Sequence, residues 1–283
     1  MRTAFVVLTY NRAEALLAVL RGLAPQCGAG DVVVVADDGS RPGEVEALRR
    51  GLPGFPCPVR HVWHPDVGFT AARARNLGAL HAHADYLVFL DGDCVPRPRF
   101  AQGHRDLAQR GHFVNGSRVL LGELLTRRVE RREVDLGALR ASDWLRLRVT
   151  GDVNKLTHLL YWPGALGRVE RGFRWKGIRS CNFGVWQADF EAVNGFDETF
   201  TGWGHEDADL VLRLHRQGCM RKNGFLATEV FHLWHAENRR GLEAGNRERV
   251  RQRMQGRIIR AEVGLAQAGS GRGTVVTELN RRQ

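Results

Sequence analysis

The sequence predicts an α/β fold with a Rossmann-like, mostly parallel central sheet flanked by helices. Three observations predict it. Apolar runs recur without polar alternation, the mark of strands buried on both faces. Helix-forming stretches separate those runs at the spacing of parallel βαβ units. The runs also close on polar, acid-bearing turns, and open α/β sheets bind ligands at the C-terminal ends of their strands.

Each element follows from local chemistry. Residues 3–9, Thr-Ala-Phe-Val-Val-Leu-Thr, read as the first buried strand. Asn11 is suited to cap a helix running from Ala13 to about Leu23. Residues 31–36 form a second apolar strand that closes on Asp37-Asp38-Gly39-Ser40. A helix is expected over Pro42–Arg50, a short strand over Val59–Trp63, and an Ala-rich helix over Thr70–Ala84. Tyr86–Leu90 is the fourth strand, and residues 1–118 read as the first, ligand-binding half of the domain. Residues 119–176, rich in Arg, Leu and Trp, read as a variable helical insertion or acceptor lid. A second ordered block spans 177–235, followed at 236–283 by a basic helical tail whose Gly269–Gly273 stretch reads as flexible.

Composition narrows the class. Of 283 residues, 43% are hydrophobic and 26% charged, which fits a globular chain with a sizeable core. No apolar stretch reaches the roughly 18 residues of a membrane span, and no secretory signal is visible at the N-terminus. Five scattered cysteines without a C-x-x-C pair argue against a disulfide framework and for a cytoplasmic, reducing setting. A formal net charge of +11 favours anionic partners. Nucleic acid is not expected among them, because no zinc-finger, helix-turn-helix or RNA-binding signature is present.

The chemistry-bearing motif is Asp91-Gly92-Asp93, which directly follows a buried strand. Two carboxylates at such a mouth suit a divalent cation, and a hard cation suits a phosphate; a plain acidic turn is the alternative. Thr9-Tyr10-Asn11-Arg12 and Asp37-Asp38-Gly39-Ser40 close the first two strands, where a carboxylate or amide can meet a nucleobase edge and Tyr10 can stack on it; capping and turn chemistry is the alternative. Arg73 and Arg75 lie two apart on one helix, so one at most faces inward, and Arg73 reads as the solvated one. In Gly202-Trp203-Gly204-His205-Glu206-Asp207-Ala208-Asp209, three acids crowd a helix start. The helix dipole should hold Asp207 ionised and ready to accept a proton. His232 and His235 form a His-x-x-His pair able to supply metal nitrogens.

The order of these motifs resembles the inverting family 2 glycosyltransferases of the GT-A fold, with a galactosyltransferase-type C-terminal block. The carriers are T-Y-N-R at 9–12, D-D-G-S at 37–40, G-x-x-x-x-x-A-R-N-x-G at 68–78 and L-D-G-D-C at 90–94. They continue with N-F-G-V at 182–185, N-G-F-D-E at 194–198, G-W-G-H-E-D-A-D at 202–209 and F-H-L-W-H at 231–235. The resemblance implies a donor site made by Thr9, Tyr10, Asn11, Arg12, Asp38, Arg75, Asn76, Asp91 and Gly92. It implies a manganese or magnesium ion on Asp93 and His232, with His235 the second candidate, and Asp207 as catalytic base. Trp203, Glu206 and Asn182 would shape the acceptor site. The implied partners are a nucleotide-sugar donor, with UDP as carrier, and a glycan or lipid-linked acceptor. Cys94 departs from the pattern, since many relatives carry a further acid there.

Other readings stay open at the level of sequence. A retaining transferase also uses D-x-D and a late histidine. A nucleotidyltransferase would want a Gly-rich basic loop after the first strand, which this chain lacks. The arginines of the tail admit either a solvated helix or peripheral attachment to an anionic membrane's inner face. A non-catalytic basic surface-binding protein is the reading from a different class.

Overall fold

A computed structural model describes residues 1–202, 204–236, 243–269 and 273–280. The first half alternates as expected: β1 (Thr3–Thr9), α1 (Ala13–Leu23), β2 (Val32–Asp37), α2 (Pro42–Gly51), β3 (Val59–Trp63), α3 (Ala71–Leu80), β4 (Tyr86–Asp91). There follow β5 (Cys94–Pro96), α4 (Phe100–Leu107), β6 (His112–Asn115), β7 (Arg118–Leu120), α5 (Glu123–Glu130), α6 (Ala141–Val149) and β8 (Val169–Glu170). The last third carries β9 (Asn182–Trp186), α7 (Gln187–Ala192), α8 (Glu206–Arg216), β10 (Met220–Asn223), β11 (Val230–His232), α9 (Glu243–Gln255), α10 (Leu265–Ala268) and β12 (Val275–Glu278).

The main sheet has the order β12-β3-β2-β1-β4-β9-β6-β10-β8. Its β3-β2-β1-β4 heart is parallel, while β9 runs antiparallel to both β4 and β6. Successive residues of the heart strands feed opposite layers. Phe5, Val7, Val33, Val35, Val88 and Leu90 pack on one side; Ala4, Val6, Val32, Val34, Leu87 and Phe89 pack on the other. Burial on both faces is why these strands read as unbroken apolar runs.

Parallel pairing brings the ends of β1, β2 and β4 to one edge of the sheet, in register Thr9 with Asp37 and Leu8 with Asp91. Gly92 then lies against β1. Its amide donates to the Leu8 carbonyl at 2.7 Å, and a Cβ there would sit 2.7 Å from the same oxygen. Close backbone approach, rather than an unusual turn, is what demands glycine. A second small sheet, β5-β11-β7, places Cys94 beside His232 and His232 beside Leu120.

Two local expectations are corrected, at Asn11 and at the chain's end, while the helices expected after residue 118 are present. Asn11 does not cap α1: its side-chain oxygen accepts the Arg41 amide, and Glu44 accepts the Ala13 amide instead. The segment after residue 118 carries helices packed into the core, with Trp144 stacked 4.8 Å from Phe231 at 14°. The chain's end returns to the sheet, where β12 pairs antiparallel with β3. Residues 270–272 of the stretch read as flexible lie outside the described residues.

Candidate active site

A cavity of about 1500 Å³ opens where the strand ends, the Lys176–Cys181 loop, the start of α8 and β11 meet. Thr9, Tyr10, Asn11, Arg12 and Asp38 line it, together with Asp91, Gly92 and Asp93 and with Glu206, Asp207, His232 and His235. Residues from distant parts of the chain thus share one space.

At the end of β2, Asp37 and Asp38 divide their roles. Asp37 is buried against His61 at 2.8 Å and the Ser40 amide, so it builds the turn. Asp38 faces the cavity, with the Thr70 amide and hydroxyl on its two oxygens. Tyr10 is 47% exposed, its phenol donating to Asp66 at 2.8 Å. That leaves a ring face open to a planar ligand.

Arg75 is buried and forks between Asp91 at 2.8 Å and Glu206 at 3.3 Å. Arg73 meets Glu198 at 3.8 Å from the more exposed face of the same helix. Arg12 spans Asp93 and Glu130, each at 3.2 Å. The Glu130 partnership, across 118 positions, left no mark in the sequence.

The donor set around Asp93 fits a divalent cation. His232 Nε2 lies 3.8 Å from one Asp93 oxygen and His235 Nε2 lies 3.5 Å from the other. Burial pushes the His232 imidazole below its usual pKa, toward the neutral form that can ligate. The His235 Nδ1 lies 2.9 Å from the Ala236 carbonyl; donating to it leaves Nε2 as the free lone pair. Cys94 is near enough to join, 3.6 Å from Asp93. Its thiol is fully buried, and burial pushes its pKa well up. Carboxylate plus two imidazoles is a set that manganese accepts readily.

Asp207 sits in the first turn of α8, reached through His205 in a left-handed conformation at φ 71°. Its carboxylate accepts the Ala208 amide at 2.7 Å, with the Ser180 amide also donating. The pKa is nevertheless raised to about 7, first by burial and then by the neighbouring Glu206 carboxylate. This corrects the expectation that the helix dipole keeps it low: desolvation outweighs the terminal amides.

Two sequence candidates lie outside the cavity. Asn182 is 1% exposed and spends its side chain on the Ser117 and Thr228 carbonyls and on His104, so it builds the β9–β6 junction rather than touching an acceptor. Asn76 is fully buried and clamps the 194–198 turn through both the Phe196 amide and carbonyl at 2.9 Å. Trp203 lies outside the described residues. Conversely, Arg118, Lys176 and Arg179 line the cavity without having been singled out, and Arg247 and Arg251, read as arginines of a solvated or membrane-facing tail, line it too. The arginine runs were visible, but nothing local told an inward arginine from an outward one.

The family model for glycosyl transferase family 2 matches residues 4–161, more than half of the chain. The chain belongs to glycosyl transferase family 2. A second model, described as the N-terminal domain of galactosyltransferase, matches residues 165–235 of this family 2 chain. The chain is 32% identical over 222 residues to a validoxylamine A glucosyltransferase of Streptomyces hygroscopicus subsp. jinggangensis, covering 75% of this chain and 51% of that protein. It is 28% identical over 235 residues to the chondroitin synthase of Escherichia coli, covering 76% and 32%. The chain therefore spans about a third to a half of the length of these relatives. Among solved structures, it is similar to the mannosyltransferase PcManGT from Pyrobaculum calidifontis in complex with GDP-Man and Mn2+, with TM-score 0.54, 17% identity and coverage of 84% and 58%. It is also similar to S. aureus TarS 1–349, with TM-score 0.52, 13% identity and coverage of 95% and 68%. The fold is GT-A, as the motif order implied.

Proposed function

We propose that this family 2 chain transfers a sugar from a nucleoside-diphosphate sugar, UDP being the first carrier to test, to a hydroxyl of a glycan or lipid-linked acceptor, with inversion. The observation that carries the reading is Asp207: a carboxylate with a pKa raised to about 7, in one cavity with Asp38, Asp91 and Asp93. A base poised near neutrality takes a hydroxyl proton efficiently and holds it at physiological pH.

The steps follow from this chain's residues. Asp38 and the open Tyr10 ring take the nucleobase, and Asp91, oriented by Arg75, takes the ribose. Asp207 removes the acceptor's proton as the hydroxyl oxygen attacks the anomeric carbon opposite the leaving group. A manganese or magnesium ion held by Asp93, His232 and His235 would supply positive charge against the departing diphosphate. Glu206, tied to Asp91 through Arg75, fixes the acceptor side relative to the donor side.

The relatives named as a glucosyltransferase and a chondroitin synthase support glycan chemistry, and the GDP-Man and Mn2+ of the structural neighbour support a nucleotide sugar with a divalent ion. The test is Asp207→Asn with the donor and acceptor that wild type uses. Transfer should fall by roughly a hundred- to ten-thousand-fold while nucleotide affinity by calorimetry changes less than about threefold. An equal loss of nucleotide affinity removes Asp207 as the base. Retention of anomeric configuration in product NMR removes the inverting step.

A further inference from the structure

We infer that the acceptor is an anion: the hydroxyl that attacks belongs to a molecule carrying a carboxylate or phosphate, read by Lys176 and Arg179. The inference rests on the transferase reading and concerns the acceptor half of the same cavity.

The loop from Trp175 to Cys181 forms the wall beside Asp207, and the Ser180 amide donates to that carboxylate. Lys176 and Arg179 both precede Ser180 on this loop, are exposed, and line the cavity. The loop is held in place from behind. Asn115, 4% exposed, donates to the Gly177 carbonyl at 3.2 Å and accepts the Arg179 amide at 3.2 Å. Arg221, paired with Glu170, donates to the Lys176 carbonyl at 3.4 Å.

The acids of the cavity are already engaged. Asp91 and Glu206 share Arg75, Asp93 has Arg12, and Asp38 has Thr70. Among the described residues, Lys176 and Arg179 form no ion pair. Arg247 and Arg251 add positive charge to the lining from α9, which packs against the Asp207 helix. A diphosphate already has Asp93's cation site. Charge on the Asp207 side faces the partner that brings the hydroxyl. Among the described residues neither cation has a charged partner, so a neutral sugar would leave both to solvent, whereas a guanidinium and an ammonium on one loop suit an oxyanion.

The test uses the full chain with saturating UDP and Mn2+, after calorimetry shows that UDP binds. Three anionic probes are titrated: a hexuronic-acid disaccharide, a sugar phosphate, and vesicles containing phosphatidylglycerol. A neutral disaccharide and phosphatidylcholine vesicles are the controls. At least one anionic probe should bind tenfold or more tighter than its control. The double variant Lys176→Ala/Arg179→Ala should lose that preference with UDP affinity unchanged. Which arm responds identifies a carboxylate, a soluble phosphate or a lipid headgroup as the source. Equal binding of anionic and neutral probes overturns the inference, as does a preference that survives the double variant. Loss of UDP affinity in the variant overturns it too, because the two cations would then serve the donor. If neither UDP nor GDP binds wild type, the transferase reading itself fails, and this inference with it.

Discussion

Asp207 lies where two environmental effects oppose each other. The amides at the start of α8 favour its charged form, while burial and Glu206 disfavour it; burial wins, and the pKa is about 7. Two outcomes follow. Transfer should rise with pH and level off above about 7, read from a pH–rate profile of kcat/KM. The raised pKa also costs stability. An unfolded Asp ionises near 4, so the penalty of holding it folded is absent below about 4, grows from 4 to 7 and is constant above. Each tenfold weakening of the acid on folding costs about 1.4 kcal/mol. Asp207→Asn should therefore raise Tm at pH 8 and leave it unchanged at pH 4. A uniform change at both would mean that the carboxylate is not desolvated. Asp93→Ala should abolish Mn2+-dependent nucleotide binding in calorimetry, leaving only whatever affinity is independent of metal. The positions of both acids were legible because each follows a recognisable boundary, a buried strand end or a helix start. Their environments were not, because desolvation is made by residues far away in the sequence. Asn182 shows the reverse: an amide in a family motif whose partners, Ser117 and Thr228, turn it into a structural clamp.

At the scale of elements, β1, β2 and β4 were legible because burial on both faces leaves only apolar residues in a row. α9 was not. It carries the arginines that read as a solvated or membrane-facing helix, yet Arg253 is 8% exposed and bonds Asp209 at 2.7 Å and Asp197 at 2.9 Å. Asp209 lies two residues beyond Asp207 and also holds Arg213 at 2.8 Å, so α9 is bolted to the helix that carries the base. Removing one member of such a buried network strands the others' charge. Arg253→Ala should destabilise the chain by about 3–5 kcal/mol in urea unfolding. A loss under about 1 kcal/mol would show that water replaces the guanidinium freely. Deleting residues 236–283 is accordingly a poor probe of surface attachment, since it also removes this bolt and the β12 edge strand.

At the scale of the whole molecule, the net charge of +11 is divided between work inside and work outside. Arg75, Arg213 and Arg253 are interior struts, whereas Arg251 and Arg257 remain exposed. Among the described residues no helix is long and apolar enough to cross a membrane. The attachment to an anionic membrane face that the sequence admits would draw on this exposed share of the charge. Charge reversal at Arg257, an exposed tail arginine outside the cavity lining, should weaken sedimentation with anionic liposomes by several-fold and leave Tm unchanged; undiminished binding removes it from that role.

The Arg75 fork has one more consequence. A single guanidinium joins a carboxylate from the first half of the chain to one from the second, 2.8 Å on one arm and 3.3 Å on the other. A ligand that draws on Asp91 changes what Arg75 can give to Glu206. Linkage requires the exchange to be reciprocal: whatever the first substrate does to the affinity for the second, the second returns by the same factor. Two half-sites that share one cation cannot be titrated as strangers.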